Sequence, residues 1–234
     1  MGKISGAADR AESGSDEFIT RLLDMAEKER AQLVNMLHDD LGGLMVAASI
    51  DLAWVEKNSP ELSTEAQAKL RRSADSVRRA IDLKRQMIED LRPTLLDNFG
   101  LFAALRWHVK HISRRSGVQI FERYHDPEPK FNSEAATALF RIAQAALTLI
   151  SDHEALTAAS LTVSVDKHQV ELHISDDARV SDPDRLADAK TDSVLAMKHR
   201  VRSLGGEMHI VPSSSGGTSI RVTIPIARAL TEEA

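Results

Sequence analysis

The stretch "NMLHDDLGGLM", residues 35–45, sets His38, Asp39 and Asp40 in a run whose apolar residues recur at helical spacing, and follows them with Gly42 and Gly43. A histidine with a carboxylate beside it suits phosphoryl acceptance. One ring nitrogen must be free of its proton to attack phosphorus, and a carboxylate that accepts a hydrogen bond from the other nitrogen fixes the tautomer and raises nucleophilicity. His38 and Asp39 supply both parts. The plain alternative is a solvated histidine among ordinary surface acids. Each of the two glycines costs a helix interior about 1 kcal/mol relative to alanine. They therefore need a reason: room for a partner surface above the imidazole, or a simple kink.

The elements that must position these residues are long helices. From Asp16 onward Ile19, Leu22, Ala26, Leu33, Leu37, Leu41, Leu44, Ala48 and Val55 recur mostly at steps of three and four, the stripe of an amphipathic helix. "KNSPELST" interrupts it with a proline and capping residues, and a second stripe follows through Leu70, Ala74, Val77, Ile81, Ile88 and Leu91. An antiparallel helical hairpin results. Two such helices with one apolar stripe each cannot close a core, so two copies pairing into a four-helix bundle is the expected solution, and with it a homodimer.

Beyond the hairpin the pattern changes. "LFAALRWHVKHISRRSG" predicts a short helix ending at Gly117, "VQIFERY" a strand, and "SEAATALFRIAQAALTLISDH" a helix with an acidic first turn. "SLTVSVDKHQVELHISDD" predicts two strands joined by a tight turn, "DPDRLADAKTDSVLAMKHRVRSLGG" a helix with a glycine stop, and "EMHIVPSSSGGTSIRVTIPI" a terminal hairpin. The expected fold class is α+β: a long helical hairpin forming a dimeric bundle, followed by an α/β sandwich with helices on one face of a mixed sheet. The expected divisions are a flexible leader, 1–15, too polar to fold; a helical dimerisation and phosphoacceptor domain, 16–116; and a sandwich domain, 117–234.

Bulk properties narrow the function classes. The chain has 234 residues, 42% of them hydrophobic and 28% charged, as a globular protein of one or two domains would. With no cysteine, disulfides, thiolate zinc sites and cysteine nucleophiles are excluded, which suits a reducing cytoplasm. No apolar run approaches the roughly 18 residues of a spanning helix, and the polar start lacks a signal-peptide core, so no membrane insertion is expected. A net charge of −5 and one tyrosine with two tryptophans make nucleic acid a poor partner. The histidines at 108, 111, 125, 153, 168, 173, 199 and 209 show no metal-ligand spacing joined to carboxylates, so no metal site is assigned. His108 with His111 reads as a polar helix face.

"ERAQLVNMLHDDLGGLMVAASIDL" (29–52) resembles the phosphoacceptor helix of bacterial two-component sensor histidine kinases, in the subfamily of nitrate and membrane-fluidity sensors. "IEDLRPTLLDNFGLFAALRWHVKHISRRSGVQI" (88–120) is similar to that subfamily's second segment, with its Leu-Arg-Pro, Leu-Asp, Gly-Leu and Ala-Leu steps. The resemblance implies that His38 is the phosphorylated residue and Asp39 its orienting base. Many relatives carry a water-positioning Gln five residues after the histidine; Gly43 stands there, a departure that puts phosphatase activity in doubt.

The second half resembles the ATPase domain of the same kinases, with the family's nucleotide-contacting residues replaced. Where the family has Glu and then a magnesium-binding Asn, Ala145 and Leu149 stand, and neither can ligate a hard cation that demands oxygen. The family's Asp-x-Gly-x-Gly turn reads "DDARV": Asp176 is kept, but Ala178 and Val180 replace the glycines. Ahead of the Met-x-x-Arg-Val step, Ser193 and Ala196 stand where glycines belong. Gly205, Gly206, Gly217 and Thr218 remain, and helix termination and hairpin closure account for them.

The resemblance therefore implies a histidine phosphotransfer protein. It would relay phosphoryl groups between His38 and aspartates of response-regulator receiver domains, without ATP-dependent kinase activity of its own. No cofactor is expected on the chain; Mg2+ is expected on the receiver partner. The absence of a sensor module ahead of the bundle fits a relay. Two alternatives remain: an active ATP-dependent sensor kinase, and a non-catalytic dimeric scaffold that binds a regulator or a kinase.

Overall fold

The computed structural model describes residues 5–91, 94–151, 156–178, 192–213 and 216–231, and the side chains of these from residue 18 onward. By contact the chain divides into two units, Leu22–Thr94, and Leu95–Ala234 together with the segment ahead of Leu22.

The helical unit is the expected hairpin. Helix α1, Ser5–Met36, runs through a π-helical turn, Leu37–Leu41, into α2, Gly42–Asn58; α3, Thr64–Leu91, packs back against α2. α1 begins at Ser5, inside the stretch expected to be a flexible leader; the alanine, glutamate and arginine there favour helix. The link is closed locally. The amide N–H of Ser59 donates to the Val55 carbonyl at 3.1 Å, and the Ser63 hydroxyl accepts the Ala66 amide N–H at 3.2 Å as the N-cap of α3. Few side chains are buried within this unit, Val34 and Ile88 being the apolar ones.

The expected stripe shifts in phase. Val34 is buried and Leu37 half-buried, but the next inward positions are Gly42 and Met45 rather than Leu41 and Leu44. Leu41 is 38% exposed and Leu44 70%. The cause is the π turn, which adds one residue to a turn and so advances the inward face by five positions between Leu37 and Gly42.

The second unit begins with α4, Thr94–Phe99, and α5, Leu101–Ser116, separated by Gly100 at φ 86°. Then come β1, Gln119–Tyr124; α6, Ser133–Ser151; β2, Ala158–Val165; β3, Gln169–Asp176; α7, Asp192–Ser203; β4, Glu207–Pro212; β5, Thr218–Pro225; and a final turn, α8, Ile226–Ala229. The sheet order is β1-β2-β3-β5-β4, with β1 parallel to β2 and the other pairs antiparallel.

Its core follows the two periods of the sequence. Leu161 and Val163 on β2, Leu172 and Ile174 on β3, and Val222 and Ile224 on β5 alternate inward. Phe102, Leu105, Leu139, Phe140, Leu147 and Met197 meet them from the helices. Gly117, at φ 74°, ends α5 with its amide N–H on the Ser113 carbonyl at 2.9 Å. In the β2–β3 turn the Asp166 carboxylate accepts the amide N–H groups of His168 and Gln169 at 2.7 and 2.8 Å, which lowers its pKa.

Two expectations are corrected here. The boundary expected at 116/117 lies instead at Thr94/Leu95, because α5 packs on α6 and β1 and its Leu101, Phe102 and Leu105 belong to the sandwich core. His108, expected on a polar helix face, is only 2% exposed, because it falls in the buried stripe of α5 between Leu105 and Ile112. His111 stacks on Trp107 with ring centroids 5.3 Å apart. Among the described residues no helix is long and apolar enough to cross a membrane.

Candidate functional site

His38 and Asp39 lie within the π turn, and both are exposed, as is Asp40. Such turns are one-residue expansions of an α-helix that cost backbone regularity and recur at functional sites. Among the described residues no hydrogen bond joins the side chains of His38 and Asp39, which are both turned to solvent. The two glycines beyond them differ. Gly42 is buried, and a Cβ built on it would stand 2.8 Å from the Lys84 ammonium of α3. Gly43 is exposed, with nothing within 4 Å of such an atom. One glycine thus accommodates the neighbouring helix, and the other leaves open surface beside His38.

The positions compared with the ATPase site are also placed. Ala145 and Leu149 lie on α6, half-buried, packed against the sandwich core and offering no side-chain oxygen. Asp176, at the end of β3, is 3% exposed. Its Oδ1 accepts the Ala178 amide N–H at 2.8 Å and its Oδ2 that of Thr218 at 3.1 Å. Ala178 is itself in the core at 1% exposure. Gly217 covers the carboxylate so closely that a Cβ there would be 2.1 Å from Oδ1. Ser193 is exposed and Ala196 half-buried, both in regular turns of α7. Val180 and most of the segment ahead of α7 lie outside the described residues.

The glycines kept beside these positions have folding reasons. Gly205 takes φ 67° at the end of α7, and a Cβ on Gly206 would stand 2.3 Å from the Thr223 carbonyl oxygen. Beyond Asp176, Asp177 fastens the start of β2: its Oδ1 accepts the amide N–H groups of Thr157 and Ala158 at 3.0 and 2.9 Å, and the Thr157 hydroxyl donates to Oδ2. These bonds hold the Asp177 carboxyl below its usual range, the side-chain bond to Thr157 most of all. Among the described residues no group of three or more His, Asp or Glu is arranged to hold a metal ion.

Residues 29–96, which contain the π turn and all of α3, match the family model described as histidine kinase. That match, with the curated relatives that follow, supports a relationship to the bacterial two-component sensor histidine kinases. The chain is 25% identical over 217 residues to sensor histidine kinase MctS of Rhizobium johnstonii, covering 92% of this chain and 47% of that protein. It is 26% identical over 210 residues to the signal transduction histidine-protein kinase/phosphatase DegS of Brevibacillus brevis, covering 89% and 54%. The chain thus spans about half the length of those curated relatives. Its fold resembles that of the histidine kinase domain from the blue-light activated histidine kinase of Erythrobacter litoralis, with a TM-score of 0.50 and 17% identity over 80% of this chain and 95% of that one.

Sequence reasoning named His38 with Asp39 and the altered ATPase-like positions as candidates. It missed the π turn, the Lys84 contact and the double acceptor role of Asp176. The spacing of Leu101, Leu105 and Ile112 does carry a signal for the burial of His108.

Proposed function

We propose that this protein works as a histidine phosphotransfer protein. His38 takes a phosphoryl group from the aspartyl phosphate of one response-regulator receiver domain and passes it to the aspartate of another, and ATP is not the donor. The observation that carries this reading is the Asp176 carboxylate. In the family that aspartate is the adenine contact; here its two oxygens accept the Ala178 and Thr218 amides beneath Gly217. Ala145 and Leu149 offer no oxygen for Mg2+. His38, by contrast, stands exposed, with open surface at Gly43 for an incoming domain. Metal chemistry is supplied by the receiver's acidic pocket, and positioning with charge neutralisation carries the transfer.

The working form is a homodimer. The hairpin leaves Leu44, Ile50 and Trp54 at 63–70% exposure on α2, and a second copy is the economical cover for that apolar surface.

The test is transfer. Incubated with phosphorylated receivers of the same organism, the protein gains an acid-labile phosphate; His38→Gln gains none, and Asp39→Asn gains it slowly through a poorly held tautomer. With ATP and Mg2+ it shows neither thermal stabilisation nor labelling. Labelling from ATP alone would overturn the relay, and failure with every receiver would point to a scaffold.

A further inference from the structure

We propose that Lys84 is a positioning residue for the phosphoryl group on His38, its ammonium holding the phosphoryl oxygens as the group arrives and while it resides on the ring. This rests on the reading of His38 as the phosphoacceptor.

The geometry begins at Gly42. A Cβ on that residue would stand 2.8 Å from Lys84 Nζ and 3.8 Å from the Leu37 carbonyl oxygen, so the ammonium occupies the space that a side chain would take. Gly42 lies on the inward face one π turn beyond Leu37, the residue just before His38, so it meets α3 at the same turn of helix from which the imidazole is turned to solvent. The lysine therefore reaches across from α3 to the turn that carries the acceptor. Its four-carbon stem lets the ammonium swing around that turn, and its three donors need no fixed fork geometry.

Lys84 is half-buried. A half-buried lysine packs its stem and keeps its ammonium where water or an arriving anion can reach it. Among the described residues it makes neither an ion pair nor a side-chain hydrogen bond, and the acids nearest in sequence to His38, Asp39 and Asp40, are turned to solvent. A cation held beside the acceptor without a resident anion is complementary to a group that arrives with two negative charges. Gly42 then has a reason beyond folding: any side chain there would displace the ammonium.

In the transfer, the lone pair of the free ring nitrogen of His38 attacks the phosphorus of the receiver's aspartyl phosphate. The N–P bond forms and the P–O bond breaks. Its electron pair leaves with the receiver carboxylate, and the proton on the other ring nitrogen stays, giving a phosphoimidazolium. Lys84 neither gives nor takes a proton. It offsets the charge on the phosphoryl oxygens, an effect of the kind that preorganised donors supply in phosphoryl transfer.

The experiment uses phosphoramidate, a small donor that needs no protein partner, with the full chain and the variants Lys84→Met, Lys84→Arg and His38→Gln, each checked for wild-type helicity and thermal midpoint. The expected result is labelling of wild type and Lys84→Arg at rates within about threefold of each other. Lys84→Met is expected to label about tenfold more slowly, with the salt dependence of its rate lost. Labelling of Lys84→Met at the wild-type rate would overturn the role of Lys84 while leaving that of His38. Failure of Lys84→Arg to restore the rate would likewise overturn it, since packing rather than charge would then be the cause. Wild type as unlabelled as His38→Gln would overturn the phosphoacceptor reading itself, and Lys84 with it.

Discussion

Asp176 and Thr218 are joined across 42 positions of sequence by a buried hydrogen bond, the Thr218 amide N–H donating to Asp176 Oδ2 at 3.1 Å. Together with the Ala178 bond it makes one carboxylate the clasp between the end of β3 and the start of β5. Asp176→Ala strands two buried amides, so a loss of about 2 to 4 kcal/mol in urea unfolding is expected. Asp176→Asn keeps only one accepting oxygen and should fall between. An Asp176→Ala protein as stable as wild type would show that the clasp is decorative.

His108 carries the pH prediction. Burial, and then the nearby His111, Arg115 and Arg141, lower its pKa from 6.5 to about 4. Among the described residues neither ring nitrogen has a hydrogen-bond partner. As pH falls below 6.5 the unfolded chain takes up this proton first, so the contribution is complete above about pH 6.5 and declines toward pH 4. The loss approaches about 3 kcal/mol. His108→Leu should flatten that part of the curve of unfolding free energy against pH. An unchanged slope would remove His108 as its source.

Three glycines give a graded stability test. Gly43→Ala meets open space in a helix and should raise stability by about 0.5 to 1 kcal/mol. Gly42→Ala should gain less, since Lys84 must move aside. Gly206→Ala would put a methyl 2.3 Å from the Thr223 carbonyl oxygen and should cost several kcal/mol. Thermal melts of the three, ranked in any other order, would contradict these close approaches.

Leu44 reports on self-association. It is 70% exposed in the single chain, so Leu44→Glu should leave the fold of each copy unchanged while weakening the dimer by several kcal/mol through an unpaired interface charge. Light scattering across micromolar concentrations is the measurement. Wild type that scatters as a monomer would remove the bundle proposal altogether.

Much of the frame was legible because local chemistry encodes it. Ser63 caps α3, Gly117 stops α5, Asp166 turns β2 into β3, and alternation on β2, β3 and β5 separates core from surface. The domain boundary was misplaced because α5 is amphipathic whichever body it joins. Periodicity says that a face is buried, and never against what. The phase of α2 was misread because hydrophobic spacing assumes a constant number of residues per turn, and "LHDDL" breaks that assumption with nothing in its composition to announce it. Leu41 and Leu44 look like core positions until the extra residue is counted. The Lys84 contact was hidden for a different reason: it joins two helices, and sequence spacing along either is silent about it.

Counted as an angle, the surplus residue of the π turn offsets the phase of α2 from that of α1 by about 100°. Apolar rows that would be collinear along a regular rod therefore lie on different sides above and below His38. A surface that grips one row and a surface that grips the other meet the rod from different directions, and the imidazole sits at the seam between them. Deleting one residue of that turn would restore a four-residue step from Leu37 to Gly42 and leave the inward face of α2 where it is, so the bulge serves the imidazole it carries and not the packing of the helix beyond it.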